Sequence, residues 1–299
     1  MASLADQLPA QPGVGRCERT IPWPAVAWFG GLLLIAYYPV LRRLVAQWIN
    51  DEDVSHGFFV PVVAGYIAWQ RRKELLELAL RPNWWGAVLM GWGAIQGFIG
   101  VLGAELFLQR TSFLISLAGL LLLAGGTDVV KKLAFPLLLL IFMIPLPAVI
   151  YNQITFPLQI FASQTAETLL GWIGIPVLRD GNILELASQK LSVVEACSGI
   201  RSLLSLSFLS QVYAYVFDTR VWMRWALLAA TIPIAILANS GRVTATGILS
   251  EIDTELANGF FHSLEGWLIF LVALALLAGF HTLLVRLIGR RKAAEIHSA

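Results

Sequence analysis

The chain has 299 residues, of which 58% are hydrophobic and only 13% charged, with a mean hydropathy of +0.73. Soluble domains are about 45–50% apolar and about 25% charged, so the composition excludes an ordinary soluble fold and describes a polytopic membrane protein. The net charge of +2 gives no reason to expect nucleic acid as a partner, and two cysteines, Cys17 and Cys197, make no disulfide framework.

Residues 1–22 read as a polar cytoplasmic tail. Trp23–Leu41 is long enough to cross a bilayer, which takes about 20 residues. No small-residue cleavage site follows, so an uncleaved helix is expected rather than a signal peptide. Asp51, Glu52 and Asp53 then form an acidic loop leading to Ser55–His56–Gly57. Phe58–Trp69 is a short second span, adequate with Gly57 and Gln70 in a locally thin membrane. Trp84–Gly103 is a third, with Gly86, Gly93, Gly97 and Gly100 near one face, a pattern that lets membrane helices approach closely. Thr111–Gly126 is a fourth span, and Leu133–Tyr151 a fifth, interrupted by Pro145 and Pro147.

Residues 152–198 break the pattern. Ile154–Trp172 carries Gln159, Ser163, Gln164, Thr165 and Glu167 among apolar residues, and reads as an amphipathic helix at the interface. Val177–Leu178, Asn182–Leu186 and Leu191–Val194 look like short strands, with turns at Asp180–Gly181 and Ala187–Lys190. Ile200–Phe217, Val221–Asn239 and Leu264–Leu287 complete eight spans, and residues 288–299 form a basic cytoplasmic tail. The expected fold is an all-α polytopic membrane protein, a single unit over residues 23–287. Its small extracytoplasmic segment of amphipathic helix and β-hairpin precedes the cysteine.

Orientation follows from lysine and arginine. With both termini inside, 14 of the 21 basic residues fall on the inner side, while 12 of the 19 acids fall outside. This topology carries three chemically distinct residues to the outer face. Cys197 precedes the sixth span, Asn239–Ser240–Gly241–Arg242 closes the seventh at its outer end, and His262 precedes the eighth. His56 is outside as well, whereas His281 and His297 fall near the inner face or in the tail and read as incidental.

These residue types suit acyl transfer. A cysteine at a helix start lies in the positive end of the helix dipole, which favours the thiolate. The thiolate attacks a peptide carbonyl, a histidine manages the proton of the leaving amine, and an arginine hydrogen-bonds the tetrahedral oxyanion. A lone thiol in an oxidising compartment is exposed to damage, and its retention points to a use. The plainer readings stay open here: an inert buried thiol, an Arg242 that snorkels to the interface, and a His262 that is only a helix-start surface residue. Arg201, one turn after Cys197, competes for the arginine role, and Glu265 is placed to orient the imidazole.

The residues carry a family resemblance. Glu–Ala–Cys197–Ser–Gly–Ile–Arg–Ser–Leu resembles the cysteine motif of the exosortases, the multi-pass transpeptidases of Gram-negative bacteria. Ala–Asn239–Ser–Gly–Arg242–Val–Thr is similar to their arginine motif, and Gly–Phe–Phe–His262–Ser–Leu–Glu–Gly–Trp to their histidine motif. Ser55–His56–Gly57–Phe58 also matches the family pattern. The resemblance, over roughly residues 23–285, implies Cys197 as nucleophile, Arg242 as transition-state stabiliser and His262 as proton shuttle. His56, Glu195, Ser198, Arg201, Asn239 and Glu265 are implied as substrate-binding or supporting positions. The implied partners are the lipid bilayer and membrane-tethered proteins bearing a carboxy-terminal sorting signal, made of a Pro–Glu–Pro type motif, a transmembrane helix and a basic cluster. No metal or other cofactor is implied. The extra carboxy-terminal domain of some members is not expected here. The substrate's tail helix is expected to enter laterally and pack on small-residue faces such as the third span.

Two rival functions remain at this stage. A purely hydrolytic cysteine protease would use the same residues without a transfer step. A transporter linked to exopolysaccharide export would show charges near the midplane of several spans or an internal repeat, and the sequence has few of the former and no convincing example of the latter.

Overall fold

The computed structural model describes residues 23–193, 200–252 and 260–298. Helix α1 (Trp23–Asn50) runs well past the expected Leu41. Leu41, Leu44 and Trp48 recur at one-turn spacing, and the added turns bury them in the first core cluster. The acidic stretch that follows is a 3₁₀ segment, Glu52–Phe58, not a loop. Asp51 caps it by accepting the Asp53 backbone N–H at 3.0 Å. It runs into α2 (Phe59–Gln70), after which comes the short α3 (Arg72–Leu76).

Helices α4 (Trp85–Leu102) and α5 (Leu106–Gly125) form a tight antiparallel pair. The glycine face of α4 is where they meet: a Cβ on Gly86 would lie 2.3 Å from the Leu123 nitrogen, and one on Gly93 2.3 Å from Ser116 Oγ. That face is therefore filled by α5 and is closed to a substrate helix, which corrects the docking expected from the glycine spacing. The opposite face of α4, with Trp85, Trp92 and Phe98 exposed, is left to lipid.

Helix α6 (Thr127–Lys132), α7 (Ala134–Leu139) and a 3₁₀ turn (Leu140–Met143) lead to the Pro145–Pro147 break. Helix α8 (Ala148–Ile173) then departs at 81° from the preceding piece. It ends at Gly174, whose φ of +90° is the left-handed conformation that terminates helices. Strands β1 (Val177–Asp180), β2 (Ile183–Leu186) and β3 (Lys190–Ser192) make an antiparallel sheet in the order β1–β2–β3. Helices α9 (Ile200–Phe217), α10 (Val221–Ile252) and α11 (Phe260–Ser298) complete the described chain.

Among the described residues, five helical stretches are long and apolar enough to cross a membrane: Ala27–Asn50, α4, α5, α10 and Trp267–Ile288. The bent pair around the proline break makes a sixth. Of the remaining expected spans, α2 has 12 residues and α9 has 18. At 1.5 Å per residue α2 reaches about 18 Å, short of the roughly 30 Å of hydrocarbon, while α9 has the same length as α4.

Three buried clusters hold the helices together. The first joins α1, α2, α5 and the proline-break segment. The second joins α8, the sheet and the far half of α10 through Ala162, Ala166, Leu170, Leu184, Val193 and Val243. The third joins α9, α10 and α11.

Polar contacts gather at two ends. At one, Arg71 donates to Tyr215 Oη at 2.9 Å and to the Lys132 carbonyl at 2.7 Å, Lys132 pairs with Glu74, and Asp218 pairs with Arg220 and His281. At the other, Arg201 pairs with Glu52 and Asp53, Tyr151 donates to Asp53, and Arg110 donates to Gln47. Every ion pair among the described residues joins groups that the charge count puts on the same side.

Candidate active site

Helix α9 begins three residues after Cys197. Cys197, Glu195 and Ser198 lie outside the described residues. So do the side chains of His262 and Glu265, whose backbone forms the first turns of α11.

The levels of the surrounding helices follow from their cross-links. Ser207 Oγ of α9 lies 3.1 Å from Thr231 Oγ1 of α10. Seven residues further along each antiparallel helix, Ile200 comes level with Ala238, next to Asn239 and one turn below Arg242. At the other end, His281 Nε2 of α11 lies 3.4 Å from Asp218 Oδ2, just before α10. His262 is nineteen residues, about 28 Å, back along α11 from His281, and the same rise along α10 from Val221 reaches Ser240. The start of α9, the Asn239–Arg242 turn and the first turn of α11 thus share one level to within about a turn.

The Asn239–Arg242 turn does not close its helix, as its polar composition led us to expect. Helix α10 continues unbroken for 32 residues. Its hydroxyls are satisfied without breaking it. Ser240, Thr244, Thr246 and Ser250 each donate to a backbone carbonyl one turn earlier, at 2.8 to 3.0 Å, so these polar side chains are absorbed within the helix. The stripe Val243–Gly247–Ser250 then packs on α8 and the sheet: a Cβ on Gly247 would lie 3.0 Å from Leu170 Cδ1, and Gln189 donates to Ser250 Oγ at 2.7 Å. Arg242 is half-buried on this helix. Asn239 is 5% exposed, and neither atom of its carboxamide has a hydrogen-bond partner among the described residues. A buried polar group left unpaired costs about 1–3 kcal/mol, so such a group calls for an explanation.

Arg201 is engaged rather than open. Its guanidinium meets Glu52 Oε2 at 2.9 Å and Asp53 Oδ1 at 3.2 Å, and Tyr151 Oη donates to the second Asp53 oxygen at 2.7 Å. The 3₁₀ segment, the start of α8 and the start of α9 are tied together by this cluster. The role of Tyr151 was not legible in the sequence, where it only closes the apolar run Leu133–Tyr151.

His56 stands on the same 3₁₀ segment but turns towards the proline break. Its Nε2–H donates to the Phe142 carbonyl at 3.2 Å, and Trp48 Nε1–H donates to the Met143 carbonyl at 3.0 Å. These carbonyls belong to the end of a helix interrupted by Pro145 and Pro147, and the two rings replace the helical donors that are lost there. Gly57 lies flat on the Trp48 indole, where a Cβ would come 2.3 Å from Nε1. Burial holds the His56 pKa below its ordinary value, so the ring is neutral near pH 7. The Ser55–His56–Gly57 motif thus serves to seat this segment on the break. Among the described residues, no group of three or more His, Cys, Asp and Glu side chains is arranged to hold a metal ion.

The family model of the transmembrane exosortases (Exosortase_EpsH) matches residues 48–279. No curated protein and no solved structure matches the chain. The match begins at Trp48, whose indole seats the Ser–His–Gly segment, and runs through the cysteine, arginine and histidine motifs into α11. The chain belongs to the transmembrane exosortase family.

Proposed function

We propose that the protein is a membrane-embedded cysteine transpeptidase that cleaves carboxy-terminal sorting signals of the Pro–Glu–Pro type from exported proteins. The observation that supports this reading is the common level of the α9 start, the Asn239–Arg242 turn and the first turn of α11, the elements that follow the cysteine or carry the arginine and histidine motifs.

The Cys197 thiolate attacks the scissile carbonyl and forms a C–S bond, with the negative charge passing to the carbonyl oxygen. Arg242 donates hydrogen bonds to that oxyanion. Arg201 is held by two carboxylates, Glu52 and Asp53, and does the work of anchoring α9 to the 3₁₀ segment. As the C–N bond breaks, His262 delivers a proton to the leaving amine. The thioester is then resolved by an acceptor amine, giving transfer, or by water, giving release. The site faces the periplasm from a bacterial inner membrane, with both termini cytoplasmic and eight apolar segments crossing or entering the bilayer. The basic end of the substrate's tail stays inside, which presents the scissile bond at the outer surface.

The test is to incubate purified protein with a synthetic sorting-signal peptide and look by intact mass for a thioester on Cys197. The adduct is expected with the native chain and absent from Cys197→Ala. Arg242→Ala is expected to lower the acylation rate by about 10²–10³, the usual loss for an oxyanion donor, and His262→Ala by about 10²–10⁴. Full processing by Cys197→Ala would sink the assignment, and an inactive Arg201→Ala beside an active Arg242→Ala would exchange the arginine roles.

A further inference from the structure

Asn239 is 5% exposed on α10, one turn before Arg242, and both polar atoms of its carboxamide are unpartnered among the described residues. Its neighbours differ. Ser240, Thr244, Thr246 and Ser250 bond back to their own helix. An asparagine here keeps a donor and an acceptor side by side in one plane, both buried and both unused. Its surroundings narrow the purpose. One turn further along the same stripe, Val243 shares a buried cluster with Val193, four residues before Cys197. Ile200, three residues after Cys197, lies level with Ala238 by the Ser207–Thr231 register. The unpaired amide therefore sits where the two flanks of the cysteine segment converge.

We infer that the Asn239 carboxamide binds a peptide group of the substrate beside the scissile bond, donating from Nδ2 to its carbonyl or accepting its N–H at Oδ1. This rests on the transpeptidase reading above and deepens it. A peptide group is the natural counterpart of such a side chain: it is planar, uncharged, and carries one donor and one acceptor. A charged partner would call for an opposite charge, and an apolar one would leave both atoms unsatisfied. The role is substrate binding, and the attack by sulfur, the oxyanion and the proton transfer belong to the other groups.

The experiment separates binding from chemistry. In a Cys197→Ala background, binding of a fluorescein-labelled peptide is measured by anisotropy in detergent micelles. The peptide carries a Pro–Glu–Pro motif, an apolar helix and a basic end. Asn239→Leu in that background is expected to weaken binding about tenfold, the scale of one or two lost hydrogen bonds. Asn239→Leu alone is expected to leave the iodoacetamide alkylation rate of Cys197 unchanged and the thermal midpoint unchanged or raised, since it removes a buried unpaired amide, whereas a structural role would change the first or lower the second. Binding to the Asn239→Leu protein within twofold of the parent would overturn the inference and leave the amide to a trapped water. Should Asn239→Leu fail to fold, Asn239→Ala removes both donor and acceptor, and unchanged binding there would overturn it equally. If the native chain forms no Cys197 thioester, the transpeptidase reading itself fails, and this inference falls with it.

Discussion

His56, Trp48 and Gly57 show how much one residue can do at a break in a membrane helix. Where Pro145 and Pro147 stop the helix, the Phe142 and Met143 carbonyls lose helical donors in surroundings with little water. The His56 and Trp48 rings supply them, and Gly57 lets the indole close over the backbone. Because burial lowers the His56 pKa, the unfolded chain takes up a proton near pH 6.5 that the folded chain refuses. Stability is therefore fully present above the unfolded value, falls as pH drops through about 6.5, and levels off once the pH is below the folded pKa. A thermal-denaturation series in detergent from pH 7.5 to 5.5 should show this fall. In His56→Gln it should be smaller. An identical slope in the variant would mean that other groups carry it. The sequence marked this histidine as part of a motif, but its partner is a carbonyl 86 residues away, which no local pattern reveals.

At the scale of elements, the glycine spacing of α4 announced a close helix contact, and the structure has one. Its partner was not legible, because small residues say how near a neighbour comes and not which neighbour it is. Gly86→Ala would drive a Cβ into the Leu123 and Gly119 backbone, which side-chain motion cannot relieve. A loss of about 1–3 kcal/mol is expected, the usual cost of overpacking. Gly91→Ala, with nothing within 4 Å of its Cβ, should be neutral or slightly stabilising. Thermal midpoints of the two variants in one detergent check the contrast, and equal midpoints would refute the contact. Helix α10 teaches the reverse lesson. Asn–Ser–Gly–Arg looks like a helix end in one dimension, yet the hydroxyls along this stretch bond inward, and the α8 face beyond is apolar enough to continue the helix.

For the whole molecule, the apolar runs were legible and most became helices in place. Their number as true crossings was less so, since α2 falls short in length and the fifth run is broken by proline. The 32 residues of α10 reach about 48 Å, beyond the roughly 30 Å of a bilayer core. The excess carries the sheet, held by Ser188 on Glu251 and Gln189 on Ser250. In a background of Cys17→Ser and Cys197→Ala, Ser188→Cys should react with a membrane-impermeant maleimide applied to intact spheroplasts. Lys131→Cys should react only after lysis. The opposite labelling pattern would invert the proposed orientation.

The 18-residue length of α9 also acts as a yardstick. From the Asp218–Arg220 turn, at the end where Arg71 and Lys132 lie, to Ile200 is about 27 Å. Under the proposed function, a substrate whose basic tail is moored at that end would offer for cleavage whatever lies one such length away. Four residues added to its apolar helix would lift the cleavable bond by about 6 Å, past the reach of a fixed nucleophile. Selection among exported proteins would then rest on the height of the motif above its mooring as much as on its letters.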